Sequence, residues 1–225
     1  MSNFGIHHLR LVNPYAVAFR EARSAVGASH VLKSAEEFKS VANAVADCPL
    51  VIGTTAVRNR ALRNPLRRLD AKTGQTIREQ LHAGRVALLF GSEKIGLTND
   101  DFSHCHWLLN IPTAADHISM NLGQAVAVCL YEIARGETDP SEIGAVSLSL
   151  AKDAAPATAG EAEQITETLL EALHKSGYVK PGNDAVSEKK VRSLILRLSL
   201  SAGDAKVLLG MVRQIVWKLR RMGKD

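Results

Sequence analysis

Two short segments carry residues whose types and spacing suit a ligand. The first, Phe90-Gly91-Ser92-Glu93-Lys94-Ile95-Gly96-Leu97-Thr98-Asn99, follows an apolar run that reads as a buried strand. A glycine at a strand end lets a ligand approach the backbone closely, and ligands of open α/β sheets sit at the carboxyl ends of strands. Glu93, between the two glycines, can orient the loop or touch the ligand. The spacing matches neither the G-x-G-x-x-G of dinucleotide folds nor the G-K-[ST] ending of a phosphate loop, which argues against nicotinamide and nucleoside-triphosphate chemistry. The second segment, Ile111-Pro112-Thr113-Ala114-Ala115-Asp116-His117-Ile118-Ser119-Met120-Asn121-Leu122-Gly123-Gln124-Ala125, places a proline at a strand end, then a loop, then a helix start with Ser119 and Asn121 beside it. Free N–H groups at such a start can hold an anionic or polar group, although a plain capping serine fits the same residues. His104-Cys105-His106 alternates, so its side chains diverge on any strand, and no metal is expected there.

Charge points to a polyanionic partner. From Arg58 to Asp70 five arginines (Arg58, Arg60, Arg63, Arg67, Arg68) stand against one acid. From Ser187 to Asp225 ten Lys and Arg stand against three acids, in a chain of formal charge only +5, so the remainder is net acidic. Concentrated basic charge is the footprint of a nucleic-acid binder, while a solvated helix face accounts for any one run alone. Aromatic residues make up only 4% of the chain, too few for a platform that stacks bases on rings. No apolar run approaches the roughly 20 residues of a membrane helix, and the start, Met1-Ser2-Asn3-Phe4-Gly5, lacks the basic and apolar regions of a secretory signal. Cys48, Cys105 and Cys129 are odd in number and lack C-x-x-C spacing, which suits reduced thiols in a cytoplasm.

The elements that must position these segments alternate between strands and helices. Strands are expected at Leu9–Val12, Val31-Leu32, Leu50–Thr54, Val86–Phe90 and Leu108–Ile111. Helices are expected at Ala16–Val26, from Ser34 with Glu37 in capping-box spacing, at Gln75–His82 and at Asn121–Arg135. Leu50–Thr54 runs on into a polar, arginine-rich loop. Such alternation implies an α/β fold with a parallel sheet covered on both faces. Residues 1–136 form this domain, the Ala-, Ser-, Thr- and Pro-containing stretch 137–160 reads as a linker, and 161–225 shows only helical apolar spacing: Ile165, Leu169, Leu170 and Leu173, then Val191, Leu194, Ile195 and Leu198, then Val207, Leu208, Met211 and Ile215.

Taken together, Phe90-Gly91-x-Glu93-x-x-Gly96-Leu97, then Ile111-Pro112, then Ser119-x-Asn121-Leu122-x-x-Ala125-Val126-Ala127 resemble the second and third motifs of the SpoU (TrmH-type) branch of the SPOUT RNA methyltransferases. Leu9-Arg10-Leu11-Val12-Asn13-Pro14, Ala25-x-Gly27-Ala28 and Ile52-Gly53-Thr54-Thr55-Ala56 are similar to the TrmJ-type members, which carry a helical extension of about this length. The resemblance implies a parallel α/β sheet whose C-terminal segment threads a trefoil knot, followed by a small all-helical extension. It implies a homodimer that binds S-adenosyl-L-methionine and methylates a ribose 2′-hydroxyl of RNA, in TrmJ-type proteins the pyrimidine at position 32 of the tRNA anticodon loop. Carried over by motif, Thr54, Thr55, Ala56, Gly91, Ile111, Ile118, Ser119 and Met120 are the cofactor-binding positions. Glu93, Ser119 and Asn121 are the candidate catalytic ones. The clustered charge, not a motif, assigns Arg58, Arg60, Arg63, Arg67 and Arg68, with the basic helices after Ser187, to RNA phosphates.

The chemistry needs no metal, since the sulfonium methyl is already activated and catalysis rests on aligning it with the hydroxyl. The family's first motif, a strand with Asn-x-Gly and then a helical arginine that activates the ribose, has no counterpart from Met1 onward; Arg10, Arg20 and Arg23 do not occupy its place. Two expectations follow: an in-frame start upstream of Met1 supplies that motif, or the chain is a catalytically silent RNA-binding relative.

Overall fold

A computed structural model describes residues 1–14, 29–56, 64–114, 116–135, 154–180 and 182–222. The helix expected at Ala16–Val26, and Arg58, Arg60 and Arg63, lie outside the described residues.

After a single 3-10 turn at Ser2–Phe4, the elements run β1 (Arg10–Val12), α1 (Ser29–Lys33), β2 (Glu36–Phe38), α2 (Val41–Val45), β3 (Leu50–Thr55), β4 (Leu66–Arg68), α3 (Ala71–Ala83), β5 (Val86–Leu89), α4 (Asn99–Ser103), β6 (Trp107–Asn110), α5 (Leu122–Ala134), α6 (Ala159–Lys175), α7 (Asp184–Arg197) and α8 (Ala202–Met222). The main sheet is parallel throughout, in the order β4-β6-β3-β5; β1 and β2 form a separate parallel pair. Successive strand residues point to opposite faces, and the two central strands divide between two cores accordingly. Val51 and Leu108 pack with Val45, Cys48, Leu97, Phe102 and Cys105 on one face. Ile52, Trp107 and Leu109 pack with Ile77, Cys129 and Ile133, from α3 and α5, on the other. Apolar residues on both faces are what a parallel sheet covered by helices requires.

Two expectations near the start are overturned. Val31-Leu32 belongs to helix α1, not to a strand, with Val31 buried. Ser34 closes that helix instead of opening one, its hydroxyl donating back to the His30 carbonyl at 2.8 Å. Residues 36–38 pair with β1 in the register Arg10↔Glu36 to Val12↔Phe38. The true cap is Ser40, whose hydroxyl accepts from the Asn43 amide at the start of α2. Ser34 carries the stronger local signal, with Glu37 three residues on, and the pairing of residues 36–38 with β1 overrides it.

The stretch read as an arginine-rich loop also contains a strand, since Leu66–Arg68 pairs with Leu108–Asn110 and forms one edge of the main sheet. At the C-terminal side, α6 begins at Ala159, two residues inside the stretch read as linker, on a capping box of Thr158 and Glu161. The amides of Ala159 and Gly160 donate to the carbonyls of Cys48 and Ala46 at 2.9 Å each, so α6 sits directly against α2 and the start of β3.

All three cysteines are buried and unbridged. Burial pushes the thiols of Cys48 and Cys129 up to about 11 and about 12, and Cys105 higher still, so none presents a nucleophilic thiolate at neutral pH.

Candidate active site

Because β3, β5 and β6 run parallel, their carboxyl ends open at one side of the sheet, at Thr55, Leu89 and Asn110. The two ligand-suited segments leave from β5 and β6, and β3 lies between those strands. The result is a cavity of about 340 Å³, within the range of small-molecule sites. Thr54, Thr55 and Ala56 line it from the end of β3, Gly91 and Glu93 from the loop after β5, and Ile111, Ile118, Ser119 and Met120 from the segment after β6. Every residue read as cofactor-binding therefore reaches one cavity, as does Glu93. Asn121 does not line it: its side-chain oxygen accepts from the Gly123 amide at 2.9 Å and caps α5.

The walls are held by the chain's own hydrogen bonds. Thr54 donates through its hydroxyl to the Leu89 carbonyl at 2.9 Å, tying β3 to β5 at the mouth. Asn110 donates to the Thr55 carbonyl at 3.1 Å, tying β3 to β6. The loop after β5 folds back on itself, with the Gly96 amide donating to the Ser92 carbonyl at 2.8 Å. Gly96 has φ +68°, a conformation side chains disfavour. A Cβ on Gly91 would collide with the backbone of Gly96 and Leu97. The loop then enters α4 through a capping box in which Thr98 and Asp101 bond each other's backbone.

Phe90, Leu97 and Phe102 add apolar surface that motif reading did not assign. Their signal was present, as apolar residues flanking the two glycines, but a buried core residue carries the same pattern.

Arg67 and Arg68 lie exposed on edge strand β4, the Arg67 guanidinium 4.4 Å over the buried Trp107 ring. The C-terminal basic run contributes less to the surface than its composition suggests. Arg192 is buried and Lys189 pairs with Asp100 at 3.2 Å. Arg220 pairs with Glu171 at 2.7 Å. Lys190, Arg197, Arg213, Lys218 and Arg221 remain exposed. Among the described residues no group of three or more His, Cys, Asp or Glu is placed to hold a metal ion, and no helix is long and apolar enough to cross a membrane.

The description SpoU rRNA Methylase family is matched by residues 1–131. The chain belongs to the SpoU methylase family. A tRNA (cytidine/uridine-2′-O-)-methyltransferase TrmJ of Yersinia pestis is 32% identical over 216 residues, 96% of this chain and 83% of that protein. The TrmJ of Pectobacterium atrosepticum is 30% identical, over 96% of this chain and 88% of that protein. Among solved structures, TrmJ from Z. mobilis ZM4 superposes with a TM-score of 0.80 at 32% identity, covering 96% of this chain and 89% of that one. A probable methylase family protein from Haemophilus influenzae superposes at 0.55 with 28% identity, over 98% of this chain and 89% of that one. The α/β fold of this SpoU member, with its parallel sheet, is thus that of the TrmJ structures.

Proposed function

We propose that this SpoU family member is a tRNA 2′-O-ribose methyltransferase that uses S-adenosyl-L-methionine and acts on a pyrimidine of the anticodon loop, at position 32. The carrying observation is one cavity at the strand ends, lined by residues that follow β3, β5 and β6, in a chain similar to TrmJ proteins over 96% of its length. The donor set suits the cofactor: Phe90, Leu97 and Ile111 offer faces to an adenine, while Thr54, Thr55 and Ser119 offer polar atoms to the ribose and amino-acid ends. When bound, the cofactor supplies an electrophilic sulfonium methyl. The segment from Ile111 to α5 is the one proposed to thread the trefoil knot, and Asn121, by capping α5, holds its end. Glu93 and Ser119 are exposed at the cavity, and in this reading they hydrogen-bond a ribose hydroxyl and so orient it. Orientation of this kind is the main catalytic need when the methyl is already activated.

The exposed face of α5, with Val128 and Tyr131, the latter in edge contact with Phe4 at 6.5 Å, supports the homodimer reading. Val128→Asp is expected to shift the protein to monomer in sedimentation, and an unchanged dimer would rule this face out. A cytoplasmic location fits a tRNA substrate.

The deciding experiment supplies labelled cofactor and unmodified tRNA transcript, then locates the methyl by nuclease digestion and mass spectrometry. A 2′-O-methylated pyrimidine at position 32 is expected. Binding of cofactor and tRNA with no transfer would instead identify a silent relative. Arg67→Glu with Arg68→Glu is expected to weaken tRNA binding by about tenfold or more and to flatten its salt dependence by about 1.5 in the log–log slope, the loss of two phosphate contacts. Filter binding across a salt series measures both, and an unchanged slope would remove β4 from the RNA interface.

A further inference from the structure

We infer that Arg192 is a positioning residue: through Ser103 it fixes α4, and with it the Phe102 wall of the cofactor cavity, to the helical extension. The inference rests on the methyltransferase reading above. Arg192 lies on α7, 89 residues from Ser103 in sequence, and donates through Nη1 to the Ser103 hydroxyl at 3.0 Å. Its Nε and Nη2 donate to the two carboxylate oxygens of Glu163 on α6 at 2.7 Å each, and Nη2 also reaches Glu188 at 2.6 Å. The two-pronged Glu163 contact fixes the plane of the guanidinium, so the third direction, toward Ser103, is set by the extension and not by α4.

Ser103 stands next to Phe102, which lines the cavity and packs with Leu97 from the loop after β5. The Ser103 hydroxyl also donates to the Asp100 carbonyl at 2.7 Å, and Asp100 in turn meets Lys189 of α7. From the other side, Asn64 donates to the carbonyls of Phe102 and Cys105 at 3.1 and 2.6 Å. Asn64 directly follows the basic stretch 58–63 in sequence. A five-residue helix forming part of the cavity wall is thus gripped both from the helical extension and from the residue after the arginine run. A tRNA bound by either element has a mechanical route to the cofactor wall, and by linkage the cofactor has the same route back.

The test compares the full chain with Ser103→Ala, which removes the hydroxyl that links Arg192 to α4 together with its bond to the Asp100 carbonyl, and with Arg192→Lys, which keeps the charge but loses the planar fork. Calorimetry gives the Kd for S-adenosylmethionine with and without saturating tRNA transcript; kinetics give kcat and KM, and a thermal melt gives stability. In the parent, tRNA is expected to tighten cofactor binding. In both variants that tightening is expected to disappear and the cofactor KM to rise about fivefold, with kcat at saturating cofactor within about twofold. Variants that keep the parent's KM and its tRNA effect, with only a lowered melting temperature, would show a structural tie and overturn the inference. If Arg192→Lys does not fold, Ser103→Ala decides by the same criteria. A parent that binds cofactor and methylates tRNA but shows no coupling between the two ligands overturns the inference and leaves the methyltransferase reading standing. A parent that binds no cofactor overturns both.

Discussion

Gly91→Val is expected to weaken S-adenosylmethionine binding by about 100-fold, a loss of about 3 kcal/mol. The added Cβ would occupy the space of the Gly96 and Leu97 backbone, so the loop cannot keep its fold around any side chain at position 91. That loop carries Glu93 and forms one wall of the cavity. The contrast is Gly96→Ala. Gly96 sits at φ +68° with nothing within 4 Å of where a Cβ would stand, so the substitution adds only left-handed backbone strain, about 1 kcal/mol. Gly96→Ala should therefore bind cofactor within about tenfold of the parent. Calorimetry on both proteins, with circular dichroism to verify the fold, measures the difference. Gly91→Val binding as tightly as the parent would show that the loop is not part of the cofactor site.

Acid should destabilise the protein well before its carboxylates titrate. His106 precedes β6, and the Val51 amide donates to its Nδ1 at 3.1 Å, a bond that requires a lone pair on that nitrogen. Burial pushes the ring down to about 4. His104 is also lowered, first by burial and then by the charge of Arg192. An unfolded histidine titrates near 6.5, so the unfolded chain takes up protons that the folded chain refuses. Stability is full above about pH 6.5 and falls as the pH drops toward 4. For His106 the loss approaches about 3 kcal/mol at the lower end, from about 1.4 kcal/mol per pH unit, a large share of a typical domain's stability. Below about pH 4 Asp47 adds to the loss. Its carboxyl, held well under the usual range chiefly by the hydrogen bond from Arg10, binds both Arg10 and Arg85 and ties β1 to the main sheet. Urea unfolding at pH 7.5, 6 and 4.5 measures the slope. His106→Asn, which keeps an acceptor but cannot titrate, should flatten it, and an equal slope in that variant would place the acid sensitivity elsewhere.

Long apolar runs were readable because their meaning does not depend on partners. Leu50–Thr55, Val86–Leu89 and Trp107–Asn110 are strands where apolar runs predicted strands, and Leu122–Ala134 is a helix capped by Asn121. Short elements were not readable. Val31-Leu32 is apolar and opens with a β-branched residue yet lies in a helix, and Leu66–Arg68, with no buried residue, is a strand only because the β6 backbone is beside it. Over three residues, local preference is smaller than the backbone hydrogen bonds a neighbouring strand supplies.

By itself the sequence determined the chemical inventory: glycines and a glutamate after one strand, a capping serine and asparagine after another, and two basic runs. It also determined the parallel α/β class, through apolar runs alternating with helical spacing. Tertiary structure alone decided which of these residues meet. It brought the ends of β3, β5 and β6 to one cavity and left Asn121 outside it as a cap. It also took Arg192 out of the basic surface and set it between Glu163, Glu188 and Ser103. A charge counts toward a surface only if it stays in water, and a buried guanidinium is stable only where its donors are matched. No spacing along the chain records that match, because its partners lie 4, 29 and 89 residues away.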